Sequence, residues 1–160
     1  MILFVSIVCS ITITSASAQN ADSLLSNFKN SAIRRINYPE GLIKRCIATT
    51  TLLKIKTNDH AEIVDMKLSD SADPLFIIEW LSALRDIDTL SLKKFIKLKS
   101  LANMEIIMPV SYSFTSSNCT PANVAPEASS QIFYFEKAKA TGHYYLLSDL
   151  DCKLKIRVDH

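Results

Sequence analysis

The stretch from Cys46 to Leu68 constrains the fold of this chain more than any other, because its residues alternate between two faces. One face of the first segment carries the more apolar side chains: Ile47, Thr49, Thr51, Leu53 and Ile55. A polar turn at Asn58-Asp59-His60 follows, and the alternation resumes in AEIVDMKLS, with Val64, Met66 and Leu68 on one side. Alternation of β-branched residues around a polar turn predicts a β-hairpin.

Helical spacing predicts an amphipathic helix over residues 22–36, with Asp22 or Ser23 as its cap. A second helix is predicted after Asp73 as N-cap and Pro74 at the first helical position. Its apolar stripe is wide enough to lie on a sheet face, and it consists of Phe76, Ile77, Trp80, Leu81 and Leu84.

The segment 89–101 predicts a short helix with apolar residues on one side. Four lysines face outward from it: Lys93, Lys94, Lys97 and Lys99. This run is interpreted either as a docking patch for an acidic partner or headgroup, or as a solvated helix face.

Glu105 to Phe114 predicts a third strand, and Pro109 within it predicts an edge strand because proline cannot donate to a sheet ladder. Residues 115–131 are polar and typical of a loop. Short strands are predicted around Gly142-His143, followed by LKIRV at the end.

With 160 residues and a net charge of +2, the chain suits one domain and does not indicate a nucleic-acid or anionic-membrane partner. The three histidines have no metal-ligand spacing, and neither a GxSxG motif nor a Gly-rich phosphate loop is present. The sequence therefore predicts a binding module that is not an enzyme and has no cofactor or metal.

Residues 1–18 are typical of a secretory signal peptide, with an apolar run that ends at Ala16-Ser17-Ala18. No basic residue precedes the run, so an uncleaved anchor is the alternative interpretation. Cleavage near Ala18 predicts a periplasmic or secreted chain without a membrane span. Three cysteines, Cys46, Cys119 and Cys152, would remain, either as one disulfide and one thiol or as three unpaired buried residues.

Four motifs in this order resemble the C-terminal domain of the TonB family. They are Ile36-Asn37-Tyr38-Pro39 after the first helix, the strands Leu52–Thr57 and Ala61–Ser71, and the closing segment Ile107–Phe114. The resemblance covers roughly residues 24–114. Departures are Ala61 in place of the family's turn glycine and a tail without a counterpart in the family pattern.

The resemblance implies an α+β fold over residues 19–114, with a three-stranded antiparallel sheet in the order 2-1-3, helices on one face, and residues 115–160 as an appended β-rich tail. In that sheet the start of strand one lies beside the end of strand three. Cys46 and Cys119 are therefore the preferred disulfide pair, and Cys119–Cys152 is the rival.

The resemblance also implies strand addition, in which an edge strand of the sheet pairs with a peptide of an outer-membrane transporter or another envelope protein. The implied contact residues lie on strand three: Ile107, Val110, Ser111 and Tyr112. Three alternatives stay open: the C-terminal segment covers this edge, a homodimer forms through it, or the chain is an anchored TonB-type energy transducer with a misassigned N-terminus.

Overall fold

The computed structural model describes residues 9–115 and 131–155. In these residues an α+β fold combines helices with a five-stranded mixed sheet and a separate two-stranded hairpin. In chain order the elements are α1 (Cys9–Arg35), α2 (Glu40–Lys44), β1 (Thr49–Thr57), β2 (Ile63–Leu68), α3 (Pro74–Ala83), α4 (Thr89–Leu98), β3 (Glu105–Thr115), β4 (Tyr134–Phe135), β5 (Ala138–Lys139), β6 (Tyr144–Leu146) and β7 (Leu150–Lys155).

The predicted hairpin is confirmed, since β1 and β2 pair antiparallel. In its turn the Asn58 side-chain oxygen accepts hydrogen bonds from the backbone of His60 at 3.0 Å and of Glu62 at 2.9 Å. Ala61 has a φ of 56°, a left-handed conformation that glycine adopts with less strain. The side chain of Asn58 thus organises a turn that has no glycine.

The sheet has the order β2-β1-β3, with both pairs antiparallel, and then continues beyond β3. Both β6 and β7 pair with β3 in parallel. The predicted order 2-1-3 with two antiparallel pairs is therefore confirmed, whereas the prediction of a sheet of three strands with β3 at its edge is wrong. The appended C-terminal segment returns to the domain and completes the sheet.

Pro109 fits inside this sheet because its nitrogen faces a gap between two partner strands. Leu52 exchanges hydrogen bonds with Ser69, donating to its hydroxyl at 3.1 Å and accepting from its N–H at 2.8 Å. Pro109 lies opposite Leu52 in the β1–β3 pair, so its nitrogen also faces away from β1. On that side, pairing with β6 ends at Ile107 and pairing with β7 begins at Val110. The missing donor leaves no ladder bond unmade.

The main core lies between the helices and one face of the sheet. In α3, Phe76 and Trp80 are buried as predicted, whereas Leu81 is 57% exposed and its predicted place in the stripe is wrong. Within α3 the buried positions are residues 76, 80 and 83, which defines a narrower face than the apolar sequence indicated. Asp73 caps α3 as predicted by accepting from Leu75 N–H at 2.9 Å.

Helix α1 contains most of the predicted 22–36 segment but begins at Cys9, so Asp22 and Ser23 lie within it and neither caps its start. Phe28 and Ala32 of α1 are fully buried in the core. No helix of the described residues is long and apolar enough to span a membrane.

The second face of the sheet is partly covered by the β4–β5 hairpin. Phe135 is buried there against Leu52 and Ile107, and the Lys54 amine lies 4.5 Å from the Phe135 ring centre. The hairpin thereby ties the C-terminal segment to β1 and β3 on the side opposite the helices.

The β4–β5 turn holds two consecutive non-glycine residues in the left-handed region, Glu136 at φ 53° and Lys137 at φ 66°. This combination is typical of a type I′ turn, which favours asparagine and glycine. The Asp70 carboxylate accepts from both of their N–H groups, at 2.9 and 2.7 Å. A side chain at the end of β2 thus stabilises a strained turn.

Replacing Asp70 by alanine is expected to lower the free energy of unfolding by about 1–2 kcal/mol, because two hydrogen bonds to a charged acceptor are lost. Replacing Lys137 by glycine is expected to raise it by up to about 1 kcal/mol by relieving the left-handed strain. Urea denaturation of the two variants measures both effects. Equal stability of Asp70→Ala and the unaltered chain would contradict this role.

Candidate binding edge of the sheet

The predicted contact strand, β3, has no open side in the described residues. Its pairing with β1 occupies one side, and β6 and β7 occupy the other over residues 105–107 and 110–115. The Ile107 carbonyl accepts from Leu147 N–H at 2.8 Å. The expectation of an open edge at Ile107, Val110, Ser111 and Tyr112 is therefore wrong, and the alternative of coverage by the C-terminal segment is what the structure shows.

The side chains of three of these four residues are buried in the fold. Ile107 is buried on the second face, and Val110 is buried in the main core. Tyr112 stacks on Tyr38, and its hydroxyl donates to the Ile36 carbonyl at 3.3 Å. Burial raises the pKa of Tyr112. Only Ser111 is partly exposed. Three of the four predicted contact side chains thus serve the fold.

The open edge of the sheet within the described residues is β2, which pairs with β1 alone. Backbone hydrogen-bonding groups alternate between the two sides of a strand. Since the Leu52–Ser69 pair is hydrogen-bonded, the Lys54–Lys67 and Lys56–Asp65 pairs in the same register are bonded too. The N–H and C=O groups of the residues between them face away from β1.

Met66 and Leu68 therefore present their main-chain donors and acceptors at the outer side of β2. An irregularity in the register places Val64 as an extra residue at the start of the strand, where its side chain is 56% exposed. A bulge and charged side chains are features that limit uncontrolled pairing of an edge strand. The regular part of the edge thus runs from Asp65 to Leu68.

The charges on β2 are fixed by ion pairs. The Lys67 amine lies 2.8 Å from Glu136 and 3.3 Å from Asp65. The hydrogen bond to Glu136, followed by that to Asp65, raises the pKa of Lys67 above its ordinary value. These contacts hold the side chains of the bonded positions on the second face, away from the outward main-chain groups.

A groove of about 380 Å³ opens where β2 begins, between the strand and α4. It is lined by Ala61, Glu62, Ile63, Leu90, Lys93, Lys94 and Lys97. The three lysines are exposed as predicted, because the opposite side of α4 fills the core with Leu92, Phe95 and Ile96. The lining is therefore basic, with Glu62 as its single carboxylate.

The two described cysteines beyond the first helix lie in different environments. Cys46 is partly buried in a turn with a φ of 55°, and Cys152 is buried in β7 opposite Tyr112. Burial raises the pKa of the Cys152 thiol to about 11. Neither is in a disulfide with another described residue. Cys119 lies outside the described residues, so the Cys46–Cys119 pair stays a prediction.

In residues 9–115 and 131–155, no group of three or more histidine, cysteine, aspartate or glutamate side chains is arranged to hold a metal ion. The arrangement that stands out is instead an open strand edge with a basic groove at its start. The fold is a small α+β domain, and among the described strands β2 is paired on one side only.

Comparison of the chain with protein-family models, with curated proteins and with solved structures finds no match. The TonB resemblance accordingly remains a prediction from its motifs. The sequence did not predict β2 as the open strand, because Pro109 indicated that β3 lies at the edge of the sheet. The charged Asp65 and Lys67, which are typical of an edge strand, were the available signal.

Proposed function

We propose that this chain is a non-enzymatic binding module that takes up an extended peptide segment of an envelope protein by strand addition at β2. The observation that supports this most directly is the outward row of main-chain groups at Met66 and Leu68. Strand addition is the mode of binding that the sequence predicted. The proposed binding strand is β2 instead of β3, because β6 and β7 occupy the outer side of β3.

In strand addition at this edge, different groups of the protein supply the affinity and the selectivity. Main-chain hydrogen bonds to Met66 and Leu68 are available to any extended segment, whatever its sequence. Selectivity comes from the side chains that flank the edge, which here are the groove at the start of β2 and the ion-paired Lys67 on the second face. The module therefore requires no catalytic group.

The proposal includes export, with cleavage near Ala18 and a periplasmic or secreted mature chain. The buried α1 residues Ala21, Phe28 and Ala32 all follow that point, so cleavage leaves them in the core. Fractionation of the native cells and N-terminal sequencing are expected to give a chain that begins near Gln19 in a fraction without membranes. A membrane-bound chain with an intact N-terminus would contradict export and favour the anchored transducer.

Replacing Met66 by proline is expected to weaken peptide binding at least tenfold relative to Met66→Ala. Both variants lose the methionine side chain, but only proline removes the outward N–H, and the bonds of β2 to β1 stay intact. The probes are peptides selected from a random display library on the immobilised full chain, with affinity measured by calorimetry.

The selected peptides provide a second test that leaves the protein unaltered. Two methylated forms of each peptide are compared, one with methyl groups on the odd-numbered backbone nitrogens and one with methyl groups on the even-numbered ones. Only the form whose methyl groups replace the N–H groups that face β2 is expected to lose binding. Equal affinity of Met66→Pro and Met66→Ala, together with indifference to both methylation patterns, would exclude strand addition at β2.

A further inference from the structure

We infer that the segment taken up by β2 is acidic, and that its carboxylates bind Lys93, Lys94 and Lys97 of α4. This inference rests on the proposed function and specifies the chemistry of the partner. It joins two features that lie side by side, the open strand and the basic groove at its start.

Geometry places the groove within reach of a strand added at β2. Met66 and Leu68 pack against the main core, on the sheet face that the helices cover. Alternate side chains of an added strand continue that face, because the pleat is shared across a sheet. At the start of β2 this face adjoins the groove, so we expect the side chains that the segment places on this face at that end of the strand to lie beside the groove lysines.

Charge then selects acidic side chains at those positions. The groove carries three exposed ammonium groups and one carboxylate, Glu62, which accepts a hydrogen bond from the Asn58 amide at 3.1 Å. None of the three lysines takes part in a salt bridge within the described residues. Complementary charge of this kind accelerates association and selects among partners. Leu90, which is 60% exposed in the same lining, offers an apolar contact beside the charges.

A second copy of the chain is a poorer occupant than an acidic segment. Pairing of two β2 strands would bring the end of one strand to the groove beside the other. The carboxylates that lie near that end are engaged: Asp70 with the β4–β5 turn, Asp73 with the start of α3 and Arg45, and Glu136 with Lys67. Among the described residues at that end of the strand, the lysines would therefore gain no free acidic partner from self-association.

The test uses a synthetic peptide in which glutamate alternates with threonine, and a matched peptide with glutamine in place of each glutamate. The full chain is expected to bind the glutamate peptide at least tenfold more tightly at low salt, with the difference shrinking as salt is added. The double variant Lys93→Glu/Lys97→Glu is expected to lose this preference. Lys99→Glu, on the same helix but outside the groove lining, is expected to keep it.

The outcomes separate this inference from the proposed function. Equal binding of the two peptides, both weakened by Met66→Pro relative to Met66→Ala, would overturn the acidic partner and leave strand addition standing. Binding of the glutamate peptide that depends on the lysines but not on the Met66 amide would overturn both. Binding to phosphatidylglycerol vesicles in place of the peptide, or a dimer lost in Met66→Pro, would likewise overturn the inference.

Discussion

Replacing Leu150 by alanine is expected to lower the free energy of unfolding by about 2–5 kcal/mol. Leu150 opens β7, pairs with Val110 of β3, and is fully buried in the main core. Truncation removes apolar surface from the core and leaves a cavity that the surrounding sheet fills only in part. Urea denaturation followed by the fluorescence of Trp80, the single tryptophan of the chain, measures the change.

The matched control for this variant is Leu146→Ala, in the neighbouring strand β6. Leu146 is 64% exposed, so its truncation is expected to change the free energy of unfolding by no more than about 0.5 kcal/mol. A marked loss at Leu150 with none at Leu146 supports a C-terminal segment that is part of the core. Equally small effects would mean that β7 does not close the outer side of β3.

Replacing Phe76 by alanine is expected to destabilise the chain by about 3–5 kcal/mol. The Phe76 side chain is fully buried in α3, and its ring centre lies 5.0 Å from that of Tyr112 in β3. An aromatic pair adds roughly 0.5–1.5 kcal/mol to the burial of its surface. Loss of this ring removes the contact of Phe76 with Tyr112.

Ile78→Ala is the control within the same helix, because Ile78 is 62% exposed and lies on the opposite side of α3. Its truncation is expected to have an effect within about 0.5 kcal/mol. Thermal and urea unfolding followed by far-ultraviolet circular dichroism compares the two. A larger loss at Ile78 than at Phe76 would reverse the described orientation of α3 on the sheet.

The sequence predicted correctly those elements that are determined by residues close together in the chain. The β1–β2 hairpin follows from alternation around Asn58, and the start of α3 follows from Asp73 and Pro74. The outward lysines of α4 follow from helical spacing of its buried residues. In each case the residues that decide the structure lie within one or two turns of chain.

The pairing of strands that are far apart in the chain could not be predicted from the sequence. Parallel pairing of β3 with β6 and β7 joins segments separated by a long connection, and their own short patterns do not specify a partner. Pro109 was interpreted as the mark of an edge, because its lost donor is costly only where a partner strand needs it. The structure places that donor position between β6 and β7, which sequence alone does not reveal.

The candidate site also combines features of local sequence with contacts between distant segments. The lysines at 93, 94 and 97 were visible in the sequence, and their two interpretations could not be separated there. Their meeting with Ala61 to Ile63 at the start of β2 is a tertiary contact. The groove exists only once α4 has packed beside the start of β2.

Amide hydrogen exchange of the full chain, resolved by residue, tests the central claim that β2 is the open edge and β3 is closed. The N–H groups of Met66 and Leu68 are expected to exchange rapidly, while those of Lys67 and Ser111, which face β1 and β7, are expected to be protected. Protection at Met66 and Leu68 with rapid exchange at Ser111 would contradict the account and return the binding edge to β3.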